Sequence, residues 1–462
     1  MSVTFLSDFV AGLNQKGRNL LLRNRFGRQQ PLDPEALCEA LVSRAGEVSC
    51  FMLSETILSH WEGLDEAGQA DFLTMIAHRF GPDRKAIAKA IAAVEESDDA
   101  EALYRLHAAS EPRSQELIRR LNHALQGTER LVRMREVLLR LARTDPALDT
   151  LDRDFAHLFG AWFNRGFLEL KPIDWNTSAA ILEKIIRYEA VHEIGGWNDL
   201  RRRIEPKDRR LFAFFHPQMQ DEPLIFVEVA LTDHIPGDIA SLLSEDREVL
   251  AQEKATTAVF YSISNCQAGL RGISFGNFLI KQVVEKLRQE LPNLRHFMTL
   301  SPVPGFAAWL NGLPAGESQR LLSAQNLERM RALAGPSLPD NDDARANLKP
   351  VLEGLAAYYL LEQRNARKRP LDSVARFHLG NGARLDNIHA FADLSAKGRK
   401  SGYSVMVNYL YDTREIEANH EAYAERGIVA ASGTVKSLLK QFLFRTQAAA
   451  KSNPEPEAHH AL

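Results

Sequence analysis

Thr257-Ala258-Val259-Phe260-Tyr261-Ser262-Ile263, followed by Gln267-Ala268-Gly269-Leu270-Arg271-Gly272-Ile273-Ser274-Phe275-Gly276-Asn277, is the stretch whose reading decides the fold. The first segment is short, β-branched and aromatic, as a buried strand should be. The second is a glycine-punctuated loop. Beyond it Phe278, Leu279, Val283, Val284 and Leu287 recur on one helical face, Pro292 closes the helix, and His296-Phe297-Met298-Thr299-Leu300 reads as another strand. This strand-loop-helix-strand unit would make a right-handed crossover if its strands are parallel neighbours. Outward from it, Leu224 to Leu231 and Val405 to Tyr411 supply further strands.

Upstream the grammar differs. From about residue 33 to 145 the pattern is helical almost throughout, with breaks at Gly and Pro. Leu117, Ile118, Leu121 and Leu125 form one apolar stripe that starts after Pro112 and stops at Gly127, read as a left-handed cap. Thr128 is the expected N-cap of the next helix, whose apolar face is Leu131, Met134, Leu138 and Leu141, ended by Thr144-Asp145-Pro146. The expected division is a helical domain over 1–160, a second domain over 161–445 and a disordered tail over 446–462. No internal repeat is visible.

Composition bounds the function. With 462 residues, 45% hydrophobic and 25% charged, the chain is an ordinary globular protein long enough for two cores. Its formal charge of −3 gives no global attraction to nucleic acid or an anionic membrane, so any anion site is local. Cys38, Cys50 and Cys266 are too few and too scattered for a zinc site or a disulfide framework, which fits a reducing compartment. No apolar run approaches the roughly 20 residues of a membrane span, and the first residues lack a secretory signal. Lys16, Arg18, Arg23, Arg25 and Arg28 against Asp8 is a bias shared by mitochondrial transit peptides, but sparse Ser and no clear apolar face favour plain helix charge.

Three places carry candidate chemistry. The Gln267 to Asn277 loop could cradle a phosphate at a helix N-terminus, although a glycine turn is more often punctuation and this one matches neither Walker nor dinucleotide spacing. Ser301, in Ser301-Pro302-Val303-Pro304-Gly305-Phe306, sits at a strand's end beside a proline-stiffened turn; a helix cap or turn is its bland alternative. His378, in Phe377-His378-Leu379-Gly380-Asn381-Gly382-Ala383, could donate a proton near neutral pH or be a buried structural histidine. His192, His216 and His389 are equally available by composition, without metal-helix spacing, and no Gly-x-Ser-x-Gly elbow supports a serine hydrolase.

Taken in order, Ala190-Val191-His192 with Trp197 and Arg202-Arg203, Val229-Ala230-Leu231-Thr232, Phe260 to Ser264, Gly276 to Lys281, Leu300 to Phe306, Phe377 to Ala383 and Asn408-Tyr409-Leu410-Tyr411 resemble the malonyl-CoA decarboxylase family. The Ser-Pro-x-Pro-Gly-Phe and Phe-His-Leu-x-Asn-Gly-Ala motifs carry the resemblance, which covers nearly the whole second domain. It implies an α+β multidomain protein, an N-terminal helical bundle that mediates oligomerisation followed by an α/β acetyltransferase-like (GNAT-like) catalytic domain. It implies malonyl-CoA as substrate, no metal or organic cofactor, and a homo-oligomer, with a tetramer among the candidates. Carried over by motif, Ser301 and His378 are the catalytic pair, Tyr411 matches an active-site tyrosine, and Arg271, Gly272, Ile273, Ser274, Phe275, Gly276 and Asn277 form the malonyl-CoA loop. Ser274 stands where animal members have a carboxylate, and the chain ends His460-Ala461-Leu462 rather than in a peroxisomal Ser-Lys-Leu, so a bacterial cytoplasmic enzyme is expected before a mitochondrial one.

The implied reaction pushes charge onto the thioester oxygen as carbon dioxide leaves. Ser301 is then assigned to the malonyl carboxylate, as hydrogen-bond partner and the family's proton acceptor, and His378 to protonation of the enolate carbon. The runs Arg201-Arg202-Arg203 and Arg367-Lys368-Arg369 read as solvated surface, with the CoA phosphates as the alternative. The rivals are an acyl-CoA-dependent acyltransferase and a non-catalytic malonyl-CoA sensor.

Overall fold

The computed structural model describes residues 33–452, apart from 44–45, 98, 274, 276–278 and 336–341. Readings that fall on residues 1–32, including the N-terminal charge bias, lie outside the described residues. The internal packing of the chain divides it into two units.

The first unit runs to Leu168 and takes in His216–Gln220 and Gln267–Phe275 from farther along the chain. Its helices are α1 (Pro34–Ser43), α2 (Glu47–Glu62), α3 (Glu66–Arg79), α4 (Arg84–Glu96), α5 (Ala100–Ser110), α6 (Arg113–Leu121), α7 (Gly127–Leu141) and α8 (Asp149–Trp162). Leu117, Ile118 and Leu121 of α6 and Leu131, Met134 and Leu138 of α7 are buried, as their spacing requires. Each such side chain removed from water contributes about 1.5–3 kcal/mol.

The α6–α7 junction departs from the sequence reading. Helix α6 stops at Leu121, so Leu125 lies beyond it and is 59% exposed. The left-handed residue is Gln126, at φ 54°, and Gly127 opens α7 instead of closing α6. A glycine is needed there for space, because a Cβ would come within 2.6 Å of the Asn122 carbonyl oxygen. Thr128 lies inside α7, its hydroxyl donating to Asn122 Oδ1 at 2.8 Å, and does not cap the helix.

The second unit is built on an eight-stranded mixed sheet. Its strands are β1 (Glu169–Pro172), β2 (Arg209–Phe215), β3 (Ile225–Thr232), β4 (Thr257–Asn265), β5 (His296–Thr299), β6 (Ser301–Pro302), β7 (Arg384–His389) and β8 (Met406–Leu410). They follow the order β1-β2-β3-β4-β5-β8-β6, with β7 also on β8. Neighbours from β1 to β4 are antiparallel, β4 and β5 are parallel, and β8 runs against β5, β6 and β7. The strand-loop-helix-strand unit is therefore present, with Leu279, Val283, Val284 and Leu287 buried on its helix Leu279–Glu290. Helices before a mixed sheet domain give the α+β class expected.

Pairing of β4 with β5 runs from Thr257↔His296 to Phe260↔Thr299. There the strands part: β4 continues on β3 to Asn265, while the segment after β5 passes into β6 and pairs with Met406 and Val407 of β8. The last helix, Gly433–Ser452, continues past Thr446, where a tail was expected to start; residues 453–462 lie outside the described residues.

Candidate active site

Strand geometry places side chains i and i+2 on one face. In the extended segment Phe297 to Pro302 this aligns Thr299 with Ser301, and on and just past β8 it aligns Tyr409 with Tyr411. His378 arrives from the helix Ser373–Gly380, N-capped by Asp372, whose Oδ1 accepts from Ala375 N at 2.9 Å. The other Asp372 oxygen, Oδ2, accepts from Gly305 N at 3.3 Å. One carboxylate thus ties the turn after Ser301 to the helix that carries His378.

These elements bring together three side chains that the sequence proposed. Ser301 Oγ lies 3.1 Å from His378 Nε2, and Tyr411 Oη lies 2.8 Å from His378 Nδ1. Ser301 also donates to Thr299 Oγ1 at 2.8 Å, and that oxygen accepts from Tyr409 N at 3.2 Å. All four side chains are buried. The His378 ring stacks on Tyr409 with centroids 4.6 Å apart and 23° between planes.

Burial sets the charge state. It pushes the His378 imidazole down to about 3, and it holds the Tyr411 phenol well above its ordinary range. A place in the last turn of a helix favours an imidazolium by only about 0.3–1 kcal/mol. That is worth less than one pKa unit, so desolvation wins. His378 is neutral near pH 7 and Tyr411 keeps its proton.

The proposed CoA loop is described only in part, and its described portion belongs to the first unit. Arg271, Gly272, Ile273 and Phe275 are described; Ser274, Gly276 and Asn277 lie outside the described residues. Arg135 of α7 donates to the carbonyls of Gly269 at 2.7 Å and Arg271 at 3.1 Å and pairs with Asp152. A Cβ at Gly269 would overlap the Val132 carbonyl, so this glycine serves helix packing. Gly272, at φ +82° with open space where its Cβ would be, is the loop's left-handed turn.

The remaining histidines have other partners or settings. His216 Nε2 meets the Trp162 carbonyl at 3.1 Å and its ring lies beside Phe163. His389 Nε2 lies 2.5 Å from Asn408 Oδ1. Burial lowers His192 to about 4. Among the described residues no three His, Cys, Asp or Glu side chains are grouped as a metal ion would need, and no helix is long and apolar enough to cross a membrane.

Two polar features escaped the sequence reading. Arg203 is not solvated like its neighbour Arg201: its guanidinium is buried 3.2 Å from Glu228, a fully buried side chain on β3, and also pairs with Asp199. Burial raises the Glu228 carboxyl against the pull of Arg203. Beside it in register, Ser262 donates to Glu189 at 2.7 Å and Ser264 does so at 3.1 Å. The i, i+2 spacing of the two serines on β4 was the available signal. Thr299 had the same signal, two residues before Ser301.

Comparison with known proteins agrees along the chain. Residues 166–449 match the malonyl-CoA decarboxylase C-terminal domain, and residues 80–163 match the N-terminal domain. The mitochondrial malonyl-CoA decarboxylase of Rattus norvegicus is 34% identical over 418 residues, 83% of this chain and 85% of that protein. Crystal structures of malonyl-CoA decarboxylases from Agrobacterium vitis and Rhodopseudomonas palustris are 54% and 52% identical. Each covers 88% of this chain and 100% of its own, with a TM-score of 0.83.

Proposed function

The chain belongs to the malonyl-CoA decarboxylase family, and we propose that it converts malonyl-CoA to acetyl-CoA and carbon dioxide with Ser301, His378 and Tyr411 as its working side chains. The observation that carries this reading is the buried chain Ser301–His378–Tyr411, whose first two members come from the two motifs that carry the resemblance and whose third comes from the segment Asn408–Tyr411. Such an activity is that of a carboxy-lyase.

In the proposed step the bond between the free carboxylate carbon and the methylene carbon breaks, and its electron pair enters the thioester enolate. Ser301 donates a hydrogen bond to the malonyl carboxylate. His378 donates a hydrogen bond to the enolate, as a neutral imidazole can in a dry site, and then gives that N–H proton to the methylene carbon; the imidazolate so formed, held by the Tyr411 hydroxyl, takes a proton from solvent after carbon dioxide leaves. Preorganised donors to a developing oxyanion contribute about 3 kcal/mol each. Tyr411 holds the far nitrogen of the ring. Residues 271–277 are assigned to the CoA portion, and a homo-oligomer, tetramer included, in a bacterial cytoplasm belongs to the same proposal.

The test is incubation of the purified protein with malonyl-CoA in chelator, following carbon dioxide and acetyl-CoA by mass spectrometry, with S301A and H378A alongside. Stoichiometric acetyl-CoA, lost in both variants, is the expected result. Malonyl-CoA returned unchanged by folded protein would favour a sensor, and acetyl transfer to an amine would favour an acyltransferase.

A further inference from the structure

We propose that Thr299 is a positioning residue that fixes the direction of the hydrogen-bond chain through the site, so that His378 holds its proton on Nε2, facing Ser301. The inference rests on the reading of His378 as proton donor given above. It starts from the two ends of the chain. Among the described residues His378 Nδ1 is the partner of the Tyr411 hydroxyl, at 2.8 Å. A buried phenol that keeps its proton donates it to the acceptor it has. At the other end the Ser301 hydroxyl donates to Thr299 Oγ1 at 2.8 Å.

With both hydrogens so placed, the middle has one solution. Nδ1 accepts, Nε2 carries the proton, and the Ser301 oxygen receives it across 3.1 Å. The order is Tyr411 O–H to Nδ1, Nε2–H to Ser301 Oγ, and Ser301 O–H to Thr299 Oγ1. A malonyl carboxylate, which only accepts, can share the Ser301 hydrogen with Thr299 but has none to supply to His378, so the direction set before substrate arrives is kept.

Thr299 is held for this task. Its side chain is fully buried at the last residue of β5, its carbonyl accepts from Asn408 Nδ2 at 2.9 Å, and its Oγ1 also accepts from Tyr409 N at 3.2 Å. The sheet thus fixes where its oxygen lies. Without that oxygen, the Ser301 hydrogen must turn to Nε2 and orphan the Tyr411 hydrogen, or stay orphaned itself. Either choice leaves one buried donor unpaired, so the preference between the two ring tautomers is lost.

The test has one readout that needs no turnover. Long-range proton–nitrogen NMR on protein with 15N-labelled histidine, the His378 signals identified by their loss in H378N, reports which ring nitrogen carries the proton. We expect Nε2–H in the wild type and a mixture in T299V; Nδ1–H in the wild type overturns the proposal, whether or not the protein decarboxylates malonyl-CoA. In turnover, T299V should lower kcat about 10- to 100-fold with KM within about threefold, and T299S should recover most of kcat. A folded T299V with wild-type kcat, or a T299S as impaired as T299V, also overturns it. Failure of the wild type to release carbon dioxide overturns the function instead, and leaves the tautomer measurement standing.

Discussion

Replacing His378 by Asn keeps a polar side chain but removes the proposed acid. We expect kcat to fall about 10²- to 10⁴-fold with KM little changed, as for loss of a general acid acting in the transition state; equal loss of binding, read by calorimetry with a non-hydrolysable malonyl-CoA analogue, would contradict the role. The wild-type pH profile checks the charge state. Because burial pushes His378 down to about 3, kcat should be flat from about pH 6 to 8.5, whereas an imidazolium donor at the ordinary value of about 6.5 would lose activity as pH rises through that value. Linkage gives the sign for stability. The folded value lies below the unfolded one, so unfolded chains bind more protons between about pH 3 and 6.5, and the His378 contribution is full above about 6.5 and lost as pH falls. Urea midpoints at pH 7 and pH 5 should therefore differ less in H378N than in the wild type.

At the scale of elements, Asp372 holds two segments with two oxygens. Asn is about as good an N-cap as Asp, so D372N should leave the His378 helix capped while presenting an amide N–H₂ to the Gly305 N–H. We expect kcat to drop about tenfold, since small displacements between reacting groups are costly, with circular dichroism unchanged and stability lowered by about 1–3 kcal/mol for the donor left unpaired. Nothing local in the sequence announces this clamp, because 67 residues separate its ends. What was legible had short range. Short runs rich in β-branched and aromatic residues marked β3 and β4, the face Leu279-Val283-Val284-Leu287 marked the helix between β4 and β5, and two motifs marked Ser301 and His378. Where a side chain's partner lies far along the chain, or a backbone must pass close to another, local pattern fails. Arg203 looked like surface within Arg201-Arg202-Arg203 because its partner Glu228 is 25 residues away. Gly127 looked like a helix stop because close approach to Asn122 leaves no mark in the spacing. The site's polarity was hidden for the same reason, since Thr299 becomes informative only once Tyr409 and His378 are beside it.

At the scale of the molecule, the second unit buries Arg203 beside Glu228, whose carboxyl burial pushes up to about 8, and beside Asp199. Removing the arginine leaves buried acceptors without their donor, at about 1–3 kcal/mol for each group left unsatisfied. R203M should accordingly lower the urea midpoint, and R203M/E228Q should recover part of the loss; equal midpoints for R203M and wild type would show that the guanidinium does not stabilise the fold. The first unit has a different lesson. It is not a contiguous stretch of chain, because Gln267–Phe275 is seated among its helices, with Arg135 on two of that loop's carbonyls and Gly269 pressed to Val132. A gene trimmed to begin at Glu169 would still encode Ser301, His378 and Tyr411, yet it would strip that loop of its seat. Truncation at Glu169 should thus lower turnover of malonyl-CoA even where the remainder folds, because the loop proposed to hold CoA has lost its support from Arg135 and Val132.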